Sequence, residues 1–83
     1  MEFVADINIM PMKEILDPQG KAVKLGLHNL GIDQVSDVRI GKHITLRLEA
    51  TDAVEAESKV KTACEKLLAN LIMEEFSFEV RIA

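Results

Sequence analysis

The side chains of this 83-residue sequence that could act as catalysts or metal ligands do not have the spacing of a known type of site. Cys64 is the one thiol that could act as a nucleophile, with His28 and His43 as possible bases. A reactive thiolate needs an exposed, electropositive setting. Cys64 instead lies between Val60 and Leu67 on the apolar stripe of a predicted helix, where a free cysteine is usually a small core residue. We therefore interpret Cys64 as part of the core.

The histidines and carboxylates do not combine into a site either. His28 and His43 are fifteen residues apart, and a zinc site needs three or four converging ligands, so both are predicted on the surface. Glu74 and Glu75 are neighbours on a predicted strand, so their side chains point to opposite faces. Without a glycine-rich phosphate loop or an acid–base pair, we expect no catalytic residue, bound cofactor or metal in this chain.

Two short segments have the character of a binding surface, and the first begins a helix. Asp17 can accept hydrogen bonds from the first turn, and Pro18 suits the first helical position. Gly20 weakens a helix by about 1 kcal/mol relative to alanine, but it permits close approach of another backbone. Gln19 adds a hydrogen-bonding side chain. Because the charge of Asp17 would repel an anion there, we favour contact with a protein surface.

The second segment places two cations around a bend. Arg39 and Lys42 flank Ile40 and Gly41, an arrangement that could hold an anion or a partner's carboxylate. An ordinary bent, exposed strand is the alternative interpretation.

Composition limits the classes of function. The net charge of −4 and the absence of Trp and Tyr argue against nucleic-acid binding, which favours clustered cations and stacking aromatics. The apolar run LLANLIM is far shorter than the roughly 20 residues of a membrane span, and no leader pattern is visible. We expect one cytoplasmic domain over residues 1–83. A chain this short buries only about 60% of its unfolded surface, so a partner is expected to stabilise it.

Hydrophobic periodicity predicts four elements around the central segment. Alternation predicts a strand over 2–10, closed by Pro11, and another from 73 to 83. A helix over 18–30 is predicted to end at Gly31. Asp52 begins a second helix, whose inner stripe is Ala56, Val60, Ala63, Cys64, Leu67 and Leu71.

The central segment, residues 35–50, is predicted to be one long strand bent at Gly41. Its apolar residues from Val38 to Ala50 all have even numbers, and a two-residue turn at 41–42 would set apolar residues against polar ones. Sixteen extended residues span about 50 Å, whereas a compact domain of this size is about 30 Å across. The overhanging strand predicts an obligate dimer or tetramer that pairs this strand across subunits.

These elements predict an α+β fold in the order β-α-β-α-β. Two helices are expected on one face of a mainly antiparallel sheet, with the other face polar. The architecture is similar to a ferredoxin-like fold.

Three ordered motifs then identify a resemblance that covers essentially the whole chain. LDPQGKAV at 16–23, SDVRIGK at 36–42 and CEKLLAN at 64–70 resemble the PurS family, the small subunit of phosphoribosylformylglycinamidine synthase. The resemblance implies a non-catalytic subunit that bridges a PurL-type synthetase and a PurQ-type glutaminase and aids ammonia transfer. It also implies the reaction of the complex: formylglycinamide ribonucleotide, glutamine, ATP and water give formylglycinamidine ribonucleotide, glutamate, ADP and phosphate. The synthetase subunit uses the ATP and Mg²⁺.

The resemblance suggests a role for the two segments. We hypothesise that they are docking surfaces and that both glycines leave room for a neighbouring chain; the residues are Asp17, Pro18, Gln19, Gly20, Arg39, Gly41 and Lys42.

Two alternatives remain. The first is a dimeric ferredoxin-like regulatory domain that binds a small metabolite. The second is an acyl-phosphate hydrolase, which ranks last because Arg39, Arg47 and Arg81 all fall inside predicted strands, away from a phosphate-gripping loop.

Overall fold

The computed structural model describes residues 1–13 and 17–83. Its order of elements is the predicted β-α-β-α-β, with a short π-helical turn added after the second helix. The elements are β1 (Glu2–Pro11), α1 (Pro18–Asn29), β2 (Lys42–Glu49), α2 (Ala53–Ala63), the π-turn (Cys64–Leu68) and β3 (Glu74–Ile82). The predicted α+β class is therefore confirmed.

The three strands form an antiparallel sheet in the order β2-β1-β3. Ile7 in the central strand lies opposite Ile44 and Phe78. Because side chains alternate along a strand, one face collects the apolar residues, and α2 packs against it. Its central part is the core, where Ile7, Ile9, Val60 and Cys64 have no exposed surface.

The opposite face of the sheet is polar, as predicted. The guanidinium of Arg81 hydrogen-bonds Asp6 and is the main cause that holds the pKa of Asp6 below its ordinary value. Arg47 Nη1 lies 2.6 Å from Glu2 Oε1. These pairs bridge neighbouring strands, so they fix the register without burying a charge.

Helix α1 does not lie on the sheet with α2, which differs from the prediction of two helices on one face. Gly20 is its one buried residue, and α1 has no extensive contact with any other helix or strand. The molecule consequently measures 51 × 26 × 14 Å, with a radius of gyration of 16.4 Å, whereas a compact chain of this length would have about 12 Å. Residues 18–41, here called the arm, project from the body.

The long central strand was a wrong prediction, because strand β2 begins only at Lys42. Residues 36–40 run beside α1, where Lys24 Nζ donates to the Ser36 carbonyl over 2.9 Å. Within β2 the even-numbered residues Ile44 and Leu46 face the core, as predicted, and no hairpin forms at 41–42. Part of the chain does extend beyond the body, as predicted, but it consists of α1 and the irregular residues 30–41 and not of a long strand.

The far end of α1 follows the prediction. Gly31 has φ of 85°, the left-handed conformation that favours glycine after a helix. Ile32 N donates to the Leu27 carbonyl over 3.0 Å, which turns the chain back along the helix.

Because of the π-turn, the residues that face the core at the end of the second helix differ from those predicted. Ala69 N donates to the Cys64 carbonyl over 3.0 Å, which is the wider hydrogen bond of a π-helix. The extra residue rotates the stripe, so Leu68 packs against the core while Leu67 is 81% exposed. Leu71, also predicted inside, is 45% exposed. Neither residue belongs to the core.

Candidate docking site

Asp17 joins the two segments that the sequence singled out. Its Oδ1 accepts from Gly20 N over 2.9 Å, which caps α1. Its Oδ2 accepts from Ile40 N, also over 2.9 Å. One carboxylate therefore fixes the start of the helix to the end of the returning segment, and the predicted segments lie side by side.

Both glycines make close contacts within this chain. A Cβ at Gly20 would lie 2.1 Å from the Val38 carbonyl oxygen. A Cβ at Gly41 would lie 2.2 Å from the Ile9 carbonyl oxygen and from Met10 Sδ. We hypothesised that the absence of a side chain at these glycines leaves room for a neighbouring chain. That room is instead occupied by carbonyl groups of this same chain, so the two glycines allow its own segments to pack closely.

The two cations are also engaged. Arg39 lies outside the strands, contrary to prediction, and its guanidinium donates to the Pro11 carbonyl. Lys42 Nζ lies 3.6 Å from Glu74 Oε2. Arg39 therefore ties the arm to the body, and Lys42, the first residue of β2, pairs with the first residue of β3.

An open groove of about 460 Å³ results where the arm meets the body. Pro18 and Gln19 are exposed on its arm side, and Met73, which is 47% exposed, lies on its body side. The full lining is Pro11, Asp17, Pro18, Gln19, Ile40, Asn70, Met73 and Glu74. The groove combines apolar and hydrogen-bonding groups, which suits a protein segment.

Sequence reasoning missed the body side of this groove. Asn70 organises it: Asn70 N donates to Glu74 Oε1 over 2.9 Å, and Asn70 Oδ1 accepts from Ile72 N over 3.1 Å. The available signal was the Asn at the end of CEKLLAN, since Asn side chains commonly hydrogen-bond the backbone two residues later.

Acid is expected to weaken the junction between arm and body through Asp17. The N–H groups of Gly20 and then Ile40 hold the pKa of Asp17 below its ordinary value of 3.8. A lowered folded-state pKa gives stability that is complete above the unfolded pKa and is lost as the pH falls through the folded value. We expect Asp17→Asn, which leaves a single acceptor oxygen, to lower stability at neutral pH and to lose less than the wild type on acidification.

Urea unfolding at about pH 7 and about pH 3 measures both effects. Asp37→Asn is the matched control, because Asp37 is an exposed carboxylate of the same arm. An equal loss in wild type and Asp17→Asn on acidification would contradict this account.

The residues considered for chemistry are dispersed. Cys64 is buried, as predicted, and burial, followed by the charge of Glu65, raises the pKa of its thiol. His28 is on the surface, 3.1 Å from Asp33, and the ring of exposed His43 lies 2.8 Å from Asn8 Oδ1. Within residues 1–13 and 17–83, no group of three or more His, Cys, Asp or Glu side chains is placed to hold a metal ion.

The helices in the described part of the chain are all too short or too polar to cross a membrane.

Comparison with known proteins gives one consistent result. The model of the family PurS, phosphoribosylformylglycinamidine (FGAM) synthase, matches residues 4–82. The PurS subunit of phosphoribosylformylglycinamidine synthase from Synechocystis sp. is 52% identical over 66 residues, which cover 80% of this chain and 66% of that protein.

Solved structures agree in fold. Thermus thermophilus PurS has a TM-score of 0.88 and 38% identity, over 100% of this chain and 99% of its own. A chain of the Thermotoga maritima PurLQS structure has a TM-score of 0.89 and 31% identity, over 98% of this chain and 99% of its own.

Proposed function

This chain belongs to the PurS family of phosphoribosylformylglycinamidine synthase subunits, and we propose that it is a non-catalytic scaffold joining a PurL-type synthetase to a PurQ-type glutaminase. The complex would make formylglycinamidine ribonucleotide from formylglycinamide ribonucleotide, glutamine and ATP. ATP and Mg²⁺ would bind the synthetase subunit, and this chain would carry no cofactor. Its place would be the cytoplasm.

The observation that supports a scaffold is the unburied arm. A helix of twelve residues is marginal in water when it is isolated, yet α1 is capped at both ends and packs on little of its own chain. Val23 and Leu30 lie on one side of it, seven residues apart, and are 43% and 76% exposed. An exposed apolar stripe of this kind marks a surface for contact with another protein.

A second copy of the chain is the partner that this stripe fits. The stripe is exposed in every folded molecule, so its partner must always be present, and a sister chain satisfies that condition. Among residues 1–13 and 17–83, α2 and the π-turn are the helical elements that pack on the apolar face of the sheet. Ile44, Phe76 and Phe78 on that face are only partly buried, so a helix of a second copy would have apolar surface to cover there. Self-association through the arm replaces the predicted pairing of a long strand, and it accommodates a dimer or a tetramer.

The groove is then the surface proposed for the other subunits. Pro18, Gln19 and Met73 offer exposed contacts there, and the rest of the predicted docking set supports the shape of the groove. That supporting set is Asp17, Gly20, Arg39, Gly41 and Lys42. A bridge of this kind would hold the two catalytic subunits close enough for ammonia transfer.

Mixing experiments test the proposal. The purified chain is combined with the cognate synthetase and glutaminase in the presence of glutamine and nucleotide, and the mixture is sized by light scattering. We expect one complex that contains all three proteins, and glutamine-dependent turnover that requires this chain. Separate migration with full turnover would contradict the scaffold role. A saturable thermal shift with a free metabolite, without complex formation, would favour the regulatory-domain alternative.

A further inference from the structure

Strand β3 has an open outer edge. The sheet order is β2-β1-β3, so β1 pairs with one side of β3, and no strand within residues 1–13 and 17–83 pairs with the other. The register with β1 is unbroken from Glu74 to Ile82, so no bulge bends the edge away. The strand also contains neither proline nor lysine, two residue types that protect exposed edges. Such an edge can pair with a further strand.

The free backbone groups of this edge belong to even-numbered residues. Ala83 N, at the end of β3, donates to the Glu2 carbonyl over 3.0 Å. Because hydrogen-bonding groups alternate in direction along an antiparallel strand, the odd-numbered residues of β3 bond to β1. The N–H and C=O groups of Phe78 and of the even-numbered residues on either side therefore point outwards, where another chain can reach them.

A second copy of β3 fits this edge about a two-fold axis. β3 has nine residues, so antiparallel pairing over its full length places Phe78 opposite Phe78 of the second copy. In this register Phe76 lies opposite Val80 of the second copy, which keeps the apolar face of the sheet continuous.

The polar face of β3 is complementary in charge to itself in the same register. Glu75 lies opposite Arg81 of the second copy, and the two-fold symmetry forms this pair twice. Both side chains are exposed, and they meet at a non-hydrogen-bonded position, where facing side chains are closest. A shift of the register by two residues would instead bring Glu75 opposite Glu79, or Glu79 opposite its own copy, which is unfavourable.

The other edge strand, β2, is less suited to pair with itself. It has eight residues, so an axis at its middle would set polar residues opposite apolar ones. Axes at Thr45 or Leu46 restore the faces, but they bring no Glu opposite an Arg or Lys. Pairing of β2 with β3 of a second copy would be head-to-tail and would leave a free edge at each end, which favours open chains of molecules.

We propose that two copies of this chain pair their β3 strands antiparallel about Phe78, so that two three-stranded sheets become one continuous sheet held by two pairs of Glu75 and Arg81. This inference goes beyond the proposed function, because it needs neither catalytic subunit. Helix α1 has no extensive contact with β3, so the edge is also separate from the contact proposed for the arm. A chain that makes both two-fold contacts can form a tetramer.

Charge reversal tests the contact and its register. Glu75→Arg and Arg81→Glu each place like charges opposite each other twice, and we expect each to raise the dissociation constant of this contact at least about tenfold. An equimolar mixture restores both opposite-charge pairs, so it is expected to associate more strongly than either variant alone. Glu79→Arg is the matched control, because Glu79 is exposed on the same face but lies opposite Ser77 of the second copy. Sedimentation over a series of concentrations measures all four samples and the wild type.

Disulfide trapping is a second test, which leaves the pair of Arg81 and Asp6 intact. Ser77→Cys and Glu79→Cys chains, mixed under oxidising conditions, are expected to give a two-chain product, because these positions face each other across the axis. Each variant alone is expected to give much less, since its cysteines are then diagonal to each other. The native Cys64 is buried, so it does not compete.

Several results would overturn the proposal. They are wild-type association of both reversal variants, an equal loss in Glu79→Arg, no gain on mixing, or no more trapping in the mixture than in the single cysteine variants. None of these measurements uses the synthetase or the glutaminase. A failure of the chain to bind those two subunits would therefore contradict the proposed function alone.

Discussion

Replacing Gly20 by alanine is expected to lower the free energy of unfolding by about 1–3 kcal/mol, the usual cost of forcing extra volume into a filled site. The added Cβ would lie 2.1 Å from the Val38 carbonyl oxygen and 2.9 Å from Asp17 Oδ2. The first neighbour is backbone and cannot rotate away. The returning segment must therefore move, and the Asp17 bridge to Ile40 would break with it.

Gly26→Ala in the same helix is the matched control. A Cβ at Gly26 meets nothing within 4 Å, and alanine restricts the unfolded chain, so this variant is expected to gain about 0.4–1 kcal/mol. Urea unfolding at a fixed protein concentration gives both values. Equal stability of Gly20→Ala and the wild type would show that the arm does not depend on this contact.

A charge on the exposed stripe of α1 is expected to have the largest effect on assembly. Val23→Glu would place a carboxylate where an apolar side chain is proposed to be buried against a second copy. Loss of one buried apolar side chain is worth about 1.5–3 kcal/mol, and a desolvated charge adds to it. We therefore expect the dissociation constant for self-association to rise at least about 100-fold.

Leu25→Glu is the control for this variant. Leu25 is 62% exposed, but two residues along a helix correspond to about 200° of rotation, so it lies on the side opposite Val23. Sedimentation of both variants and the wild type measures the mass of the particle that each one forms. An unchanged mass for Val23→Glu, or an equal loss for Leu25→Glu, would contradict the assignment of the interface to the Val23 side.

Much of the fold was predictable because local rules determine it. Alternation placed Phe3, Ala5, Ile7 and Ile9 on one face of β1, and these residues form the buried centre. The caps at Asp17 and Asp52 depend on a single side chain and the nearest amides. Periodicity and capping are properties of short segments, so the sequence displays them directly.

The errors arose where distant parts of the chain compete for the same groups. Residues 36–41 had the pattern of a strand, but Asp17 takes the Ile40 amide and Lys24 takes the Ser36 carbonyl. A period of 3.6 residues placed Leu67 inside, and a single wider hydrogen bond moved it out. Tertiary contacts decide both cases, and a local pattern does not contain them.

In the candidate site too, the positions with a local signal were predictable and the contacts between distant segments were not. The sequence identified Asp17, Gly20 and Gly41 as special positions, and each makes a close contact in the structure. It did not indicate that the glycines accommodate the chain's own carbonyl groups. Asn70 and Met73 were missed because their role depends on a turn that lies next to the arm only in the folded chain.

The mass of the purified wild-type chain in solution tests the central claim most directly. We expect a particle of two or more chains of 9.2 kDa each at micromolar concentration, because a second copy is proposed to cover the apolar stripe of the arm. A stable 9.2 kDa particle with α1 fully helical would contradict it.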